Sequence, residues 1–229
     1  MKTLVLIPAR SGSKGIKNKN LRKINNRPLI EYTFHLAEKL KNIDDIILST
    51  DSKKIVKKSI KYKKIKSPFL RPKNLSLDNT KMQDVAVHTI EYLKRKKKNY
   101  DYLLLLQPTT PFRKISEVNK IINFVHKNSL KSLYSVSRSW QHPSEFIEVN
   151  NKKEIKYFSK SQDTNRQKFK KVYFINGAIY MIDINYFIKK KKFITKKSVP
   201  FLMSDETLID IDTNFHLRLA DSYSNKFNL

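Results

Sequence analysis

No cysteine occurs among the 229 residues, which excludes disulfides, thiolate chemistry and Cys-ligated zinc or iron–sulfur centres. Any metal site must be built from oxygen or imidazole ligands. Long apolar runs are missing as well: none approaches the roughly 18 residues that cross a bilayer. Met1-Lys2-Thr3 leads straight into a strand-like run with no small-residue cleavage site behind it, as expected of a cytoplasmic chain without a membrane partner. Acid is scarce: 20 Asp and Glu face 48 Lys and Arg, a formal net charge of +28. Such a balance suits nucleic-acid binding. However, lysine outnumbers arginine by about four to one and is spread over every predicted element, whereas base and phosphate readers rely on the planar arginine fork. The expectation is therefore non-specific attraction of polyanions, with no specific nucleic acid as partner.

Glycine is scarce, with three in the chain, and two of them stand three positions apart in Ala9-Arg10-Ser11-Gly12-Ser13-Lys14-Gly15, directly after the apolar run Leu4 to Ile7. Glycine lets a ligand approach the backbone closely. Two glycines among Arg10, Ser13, Lys14 and Lys19 suit a phosphate cradle of backbone N–H groups and cations. A solvated basic turn would have the same composition. The loop has neither the G-x-x-x-x-G-K-[ST] nor the G-x-G-x-x-G spacing, so it does not name its ligand.

With 39% apolar residues the chain suits one domain over residues 1–229. Leu29, Thr33, Leu36 and Leu40 recur at helical spacing behind Pro28; Met82 to Leu93 and Ile115 to Val125 do the same. Asp45 to Thr50, Tyr102 to Leu106, Ser132 to Ser137 and Val172 to Ile182 read as strands, with a weak one towards Phe69-Leu70. Tyr102 to Leu106 is the continuous apolar run of a central parallel strand, and it empties into the polar loop Gln107 to Arg113, at the strand edge where ligands bind in open α/β sheets. Asp51 after the second strand is expected to cap the following helix. Residues 138–171 are polar, aromatic-dotted and hold two hairpin-like runs, Phe146 to Val149 and Ile155 to Phe158, an inserted arm too large for an ordinary loop. Ile184 to Ile188 and Asn214 to Tyr223 read as helices. Before the last of these, Ile209-Asp210-Ile211-Asp212 alternates apolar and acidic residues, so on a strand both carboxylates share one face. That pair suits Mg²⁺, which takes one or two protein carboxylates, or simply an acidic edge paired with lysines. Strands alternating with helices predict a three-layer, Rossmann-like α/β fold with a mostly parallel sheet.

Ala9 to Gly15, Lys19-Asn20, Arg71-Pro72, Leu105 to Pro111, Asn176 to Tyr180 and Ile209 to Thr213, in this order, resemble the motifs of the acylneuraminate cytidylyltransferases. The resemblance implies the nucleotide-diphospho-sugar-transferase fold and transfer of CMP from CTP to the anomeric hydroxyl of a nonulosonic acid, with release of pyrophosphate and with Mg²⁺ as cofactor. It implies that Arg10 and Lys19 neutralise the triphosphate and the transition state, with Ser13, Lys14 and Asn20 around the nucleotide, Arg71 at its cytosine end and Gln107 between nucleotide and sugar. Asp210 and Asp212 become the metal ligands, and Asp212 is catalytic alongside Arg10 and Lys19. Arg166, Asn176, Tyr180 and Phe193 surround the sugar, Arg166 for its carboxylate. Residues 138–171 become a dimerisation arm and the protein a homodimer. The chain departs from the pattern of sialic-acid-activating members at Glu145 and Phe174, where basic residues are expected, which leaves legionaminic, pseudaminic and N-acetylneuraminic acid open. Rival readings are a 3-deoxy-manno-octulosonate cytidylyltransferase and a basic nucleic-acid-binding module without enzymatic activity. His35, His88, His126 and His216 lie on predicted helices without partners at metal spacing and read as structural or solvent-facing; His142, in the arm beside Pro143, has a mundane reading as well as a substrate-facing one.

Overall fold

The computed structural model describes residues 1–158 and 169–225. In chain order it contains β1 (Thr3–Pro8), the short pair β2 (Lys23–Ile24) and β3 (Arg27–Pro28), α1 (Leu29–Lys39), β4 (Asp45–Ser49), α2 (Lys53–Ser59), β5 (Ile65–Lys66), α3 (Met82–Arg95), β6 (Tyr102–Leu105), α4 (Ile115–Asn128) and β7 (Ser132–Arg138). The hairpin strands β8 (Ile147–Val149) and β9 (Ile155–Tyr157) follow, then β10 (Tyr173–Asp183), α5 (Ile184–Lys190), β11 (Ser198–Leu202) and α6 (Asn214–Ser224).

Seven strands form one sheet in the order β11-β7-β10-β6-β1-β4-β5. All pairings are parallel except those of β10, which runs antiparallel to both β6 and β7. The run expected as a central parallel strand is thus central but parallel on one side only. β11 was not anticipated. Its sequence Ser-Val-Pro-Phe-Leu contains Pro200, and an edge position beside β7 is where a strand tolerates a residue without an N–H.

Alternation along the inner strands divides the core into two layers. Val5, Ile7, Ile46, Leu48 and Leu104 face one side and pack with Phe34 of α1 and Val118, Ile121 and Ile122 of α4. Leu4, Leu6, Ile47, Leu103 and Leu105 face the other and meet Ala86 and Leu93 of α3 and Phe187 of α5. Because successive side chains point to opposite faces, a strand apolar at every position must be covered twice. Each such fully buried side chain contributes about 1.5–3 kcal/mol.

A third, smaller cluster positions the site. Ile16, Phe112 and Ile211 are buried apolar residues set in three otherwise polar loops, and they pack with Leu29 and Tyr32 of α1 and Ala220 of α6. Phe112 lies edge-on to Tyr32 at 5.7 Å between ring centroids and contacts Tyr223 at 5.3 Å. Loops that carry charge outward are pinned from beneath by one hydrophobic residue each.

Candidate active site

The parallel strands β1, β4 and β6 end at the same sheet edge, and from β1 the chain builds outward in both directions, to β4 and β5 on one side and β6 on the other. Such a reversal of strand order opens a crevice outside the strand ends. Four segments line it: residues 9–20 after β1, 50–52 after β4, 106–113 after β6, and 209–213 before α6. The antiparallel β10 also contributes, because Tyr180 sits opposite Leu105 and the residues before it therefore reach past the end of β6.

The first loop is held by acids from distant parts of the chain. Asp51 accepts from the Ser11 N–H at 2.7 Å and from the Ser11 hydroxyl at 2.6 Å. It does not cap α2; Ser52 does, accepting from the Ile55 N–H at 3.3 Å. Asp78 forms an ion pair with Arg10 and lies 3.8 Å from the Lys14 ammonium. Lys19 points inward, donating to the Ile211 carbonyl at 2.7 Å and to the Asp212 carboxylate at 2.9 Å. The Asn20 side chain donates to the Arg10 carbonyl at 2.9 Å, which closes the loop on itself. Gly15 lies so close to residue 212 that a Cβ there would collide with the Asp212 carbonyl oxygen. Here glycine is needed for close approach. Ser13 is half-exposed and Lys14 fully extended into solvent. Ser11, Asn20 and Arg22 also line a cavity of about 410 Å³ that reaches Ser52 and Lys54 at the start of α2.

Arg71 is 5% exposed and fixed to the end of β4, donating through Nε to the Ser49 hydroxyl at 3.0 Å and through Nη2 to the Ser49 carbonyl. Burial pulls its guanidinium down to about 10, opposed by the negative charge of Asp51 and reinforced by Arg10, and it stays cationic at neutral pH. A second buried arginine lies deeper. Arg113 donates to the Ala178 carbonyl at 3.0 Å and to the Thr33 hydroxyl at 2.5 Å, and burial lowers it to about 9 against the attraction of Asp210.

Residues 209–213 do not form a strand. The segment is extended, but apart from one backbone bond, Ile211 N–H to the Thr109 carbonyl at 2.8 Å, no ladder continues it, and α6 begins at once with Thr213 as cap. The alternation expected of a strand nonetheless survives: Ile211 is buried while Asp210 and Asp212 lie on the other side. The Asp212 side chain is 64% exposed and held by Lys19. Asp210 is half-buried, and burial raises its carboxyl, with a hydrogen bond from Thr109 working in the opposite direction. Its Oδ1 is buried and has no hydrogen-bond partner among the described residues. A carboxylate oxygen left unpaired costs free energy unless something binds it. Two carboxylates one residue apart, one carrying such an oxygen, match the donor set of a hard divalent cation. No cluster of three or more potential metal-ligating residues occurs among the described residues, so nucleotide oxygens and water would have to complete the coordination.

Gly177 joins the acidic end to the neighbouring pocket. It adopts φ +70° inside β10, at the bulge where pairing with β7 shifts between Ile175 and Tyr180. A Cβ there would stand 3.9 Å from both Asp210 Oδ2 and Gln107 Nε2, so both side chains border this position. Gln107 reaches the Gly177 carbonyl at 3.5 Å. Beyond Gln107 opens a cavity of about 440 Å³ between α3, β6, β10 and the segment after α5, bordered by Tyr180 and Phe193. Tyr180 is half-buried, and burial together with the charge of Asp210 raises its hydroxyl. Asn176 is the brace of the bulge. Its Oδ1 accepts from Ser135 at 2.5 Å and from the Ala178 N–H at 3.0 Å, and its Nδ2 donates to Ser137 at 2.9 Å and Thr207 at 3.1 Å. That uses the carboxamide's whole hydrogen-bonding capacity inside the chain. Arg166 lies outside the described residues.

The crevice thus brings together Arg10, Ser13, Lys14, Lys19, Asn20, Arg71, Gln107, Tyr180, Asp210 and Asp212, with Phe193 in the adjoining pocket wall. Asp51, Asp78 and Arg113 were not singled out for the site from the sequence. An aspartate just past a strand and a buried arginine in a proline-bounded loop are signals of a kind, but their partners lie far away along the chain. The histidines serve the scaffold: His126 contacts the Thr3 hydroxyl at 2.9 Å, His216 Nδ1 accepts from the Asp212 N–H at 3.3 Å, and His142 caps a turn by accepting from the Ser144 N–H.

A family model described as Cytidylyltransferase matches residues 4–214. The CMP-N,N'-diacetyllegionaminic acid synthase of Legionella pneumophila is 31% identical over 223 residues, which cover 96% of this chain and 95% of that protein. The pseudaminic acid cytidylyltransferase of Campylobacter jejuni is 30% identical over 227 residues, covering 96% and 95%. Among solved structures, a CMP:2-keto-3-deoxy-manno-octonic acid synthetase complexed with CTP superposes over the whole of both chains with a TM-score of 0.71 at 16% identity, a likeness of fold.

Proposed function

Since this chain belongs to the cytidylyltransferase family, we propose that its crevice transfers CMP from CTP to the anomeric hydroxyl of a nonulosonic acid. In this reaction the hydroxyl oxygen attacks the α-phosphorus, the bond from that phosphorus to the bridging oxygen breaks, and pyrophosphate leaves with the electron pair. The proton of the hydroxyl is lost. Charge grows on the phosphate oxygens, and fixed cations and donors aimed at those oxygens lower the barrier.

The residues divide this work by position. Arg10, Lys14 and Lys19, with the N–H groups of residues 11–15, surround the triphosphate; Ser13 and Asn20 help to seat it. Arg71, fixed at the end of β4, borders the cytosine end. Gln107 stands between the nucleotide and the sugar, and Tyr180 and Phe193 flank the acyl sugar, with Arg166 as partner for its carboxylate. Asp210 and Asp212 would hold Mg²⁺. Bound there, the cation would supply charge neutralisation for the triphosphate and polarise the acceptor hydroxyl. The observation that carries this reading is the buried, unpaired Oδ1 of Asp210, a carboxylate that borders Gly177 as Gln107 does, at the same strand edge as a loop of fixed cations.

A homodimer is part of the proposal. In the hairpin β8–β9 and just after it, Val149 is 60% exposed, Ile155 54% and Phe158 63%, and Trp140, in the segment before the hairpin, is 83% exposed. Exposed apolar side chains concentrated on one hairpin call for a cover, and a second copy of the chain would supply one. Dependence on CTP supports action in the cytoplasm. The rival 3-deoxy-manno-octulosonate acceptor rests on fold likeness alone, while relatives at about 30% identity over nearly the whole chain act on nonulosonic acids by name. A nucleic-acid role gains little from the site, whose cations are held by Asp78 and Asp212.

Pyrophosphate release with CTP and Mg²⁺ against a panel of nonulosonic acids tests the reading. Release with at least one nonulosonic acid, lost in Asp212→Ala, is expected. No release with any of them, or release with 3-deoxy-manno-octulosonate alone, would overturn it.

A further inference from the structure

Residues 176–179 of β10 lie outside the regular ladder. Pairing with β6 begins only at Tyr180, and pairing with β7 shifts between Ile175 and Tyr180. Buried backbone groups that such a bulge takes out of the ladder need other partners, and here side chains supply them. The Asn176 carboxamide accepts from the Ala178 N–H at 3.0 Å, and the Ser135 hydroxyl accepts from the Ile179 N–H at 2.8 Å. The successive carbonyls of Gly177 and Ala178 are met from the loop after β6, by Gln107 at 3.5 Å and by Arg113 at 3.0 Å.

Three of these four side chains are neutral and one is a cation. A carboxamide or a hydroxyl would serve the Ala178 carbonyl as well, and burying a guanidinium is costly without a counter-charge. Arg113 is 2% exposed, too deep to touch a substrate. Its second anchor, the Thr33 hydroxyl on α1 at 2.5 Å, is also neutral. The charge that opposes its desolvation is that of Asp210. Arg113 Nε and Asp210 Oδ1 are both buried and both without a hydrogen-bond partner among the described residues, so this attraction does not run through a bond between them. Each carboxylate of the acidic segment thus has its own cation, Lys19 in direct contact with Asp212 and Arg113 acting on Asp210 from within the core.

The same side chain is tied to the crevice through the backbone. The Gly177 position, which the Asp210 and Gln107 side chains border, is next to the carbonyl that Arg113 holds. Resting on the CMP-transfer reading above, we propose that Arg113 is a positioning residue for the transfer, fixing from beneath both the Gly177–Ala178 bulge and the Asp210 carboxylate. Its guanidinium reaches Ala178 and Thr33 from separate nitrogens, a fork that a single ammonium does not reproduce.

The test joins kinetics and thermal melting of the full chain. Arg113→Met keeps the length of the side chain and removes its donors and its charge. With CTP, Mg²⁺ and a nonulosonic acid that the parent turns over, its kcat for pyrophosphate release should fall about 10- to 100-fold, the range for groups that orient a ligating side chain, while KM for CTP stays within about threefold. Arg113→Lys, which keeps the charge, should retain more kcat than Arg113→Met and less than the parent. Melting without CTP or Mg²⁺ gives a readout independent of turnover. The shifts of Arg113→Met and Asp210→Asn should not add, the double variant melting about 2 °C or more above their sum, because removal of both charges leaves neither uncompensated. A role confined to bracing the Ala178 carbonyl would make the two shifts additive. Additive shifts, or parental kcat in Arg113→Met, would overturn the proposal while the transfer reading stands. If Arg113→Met does not fold, parental kcat in Arg113→Lys does the same. No release by the parent with any nonulosonic acid overturns the transfer reading and this proposal with it.

Discussion

Two regions of the molecule treat their troublesome groups in opposite ways. The loop at residues 9–20 concentrates cations, and those that point inward meet an acid or a carbonyl of their own chain: Arg10 meets Asp78, and Lys19 meets Asp212 and the Ile211 carbonyl, while the neutral Ser11 between them is clasped by Asp51. The hairpin β8–β9 concentrates apolar side chains, and Ile147, Val149, Ile155 and Phe158 are left between 45% and 63% exposed. One region is completed within the chain and the other is not. Their difference teaches where each cost is settled. Like charges packed on a short loop would repel, and Asp78 and Asp212 hold Arg10 and Lys19 in place while Asp51 anchors the backbone between them through Ser11. Apolar surface on a two-stranded hairpin cannot bury itself, because an isolated hairpin is marginally stable at best; in the reading proposed above a second copy covers it.

The largest effect should come from breaking the completed side at its centre. Lys19→Ala removes the cation that ties the first loop to Asp212, and kcat/KM should fall about 10²- to 10³-fold, the loss typical of one preorganised charge-stabilising group. A melting temperature close to that of the parent would place the loss in the chemistry. Gly15→Ala attacks the same junction through the backbone: the added methyl meets the Asp212 carbonyl, and the displaced carboxylate should cost on the order of 10²-fold in kcat/KM. Unaltered kinetics in that variant would mean that residues 15 and 212 need not touch.

The unfinished side should break differently. Val149 and Ile155 are direct partners across the hairpin. Val149→Asp combined with Ile155→Asp should weaken self-association about 30-fold or more in sedimentation experiments, as expected when central interface residues are lost. A mass that does not depend on concentration in the parent chain would contradict the proposed partner. The smallest effect sharpens the comparison. Asp78→Asn releases Arg10 and Lys14 from their stand-in anion, and KM for CTP should drop by up to about fivefold, the range of a part-exposed ion pair. A rise in KM would show instead that Asp78 orients Arg10 in the bound state.

Much of this was legible from the residues. The inner strands and the helices α1, α3 and α4 follow from runs and periods that only one arrangement can bury. The site loop was readable because a chain with three glycines placed two of them among cations. Three kinds of information were not readable. Strand direction leaves no mark in an apolar run, so the antiparallel β10 was hidden. Pro200 disguised β11, since a proline inside a short run argues against a strand unless the edge position is known. The acids that hold the loop are 40 residues away for Asp51 and 193 for Asp212, and nothing local in the sequence pairs them with Ser11 and Lys19. The alternation of residues 209–212 correctly set both aspartates apart from Ile211, although the segment is held by one bond to Thr109 and not by a strand ladder.

The most direct test of the account is mass-spectrometric identification of the product formed from CTP, Mg²⁺ and N,N'-diacetyllegionaminic acid. The account predicts a CMP-linked sugar in one-to-one amount with pyrophosphate, absent when either substrate is omitted and absent in Lys19→Ala over the same period. Pyrophosphate released from CTP without the sugar, or an unmodified sugar after complete consumption of CTP, would contradict it.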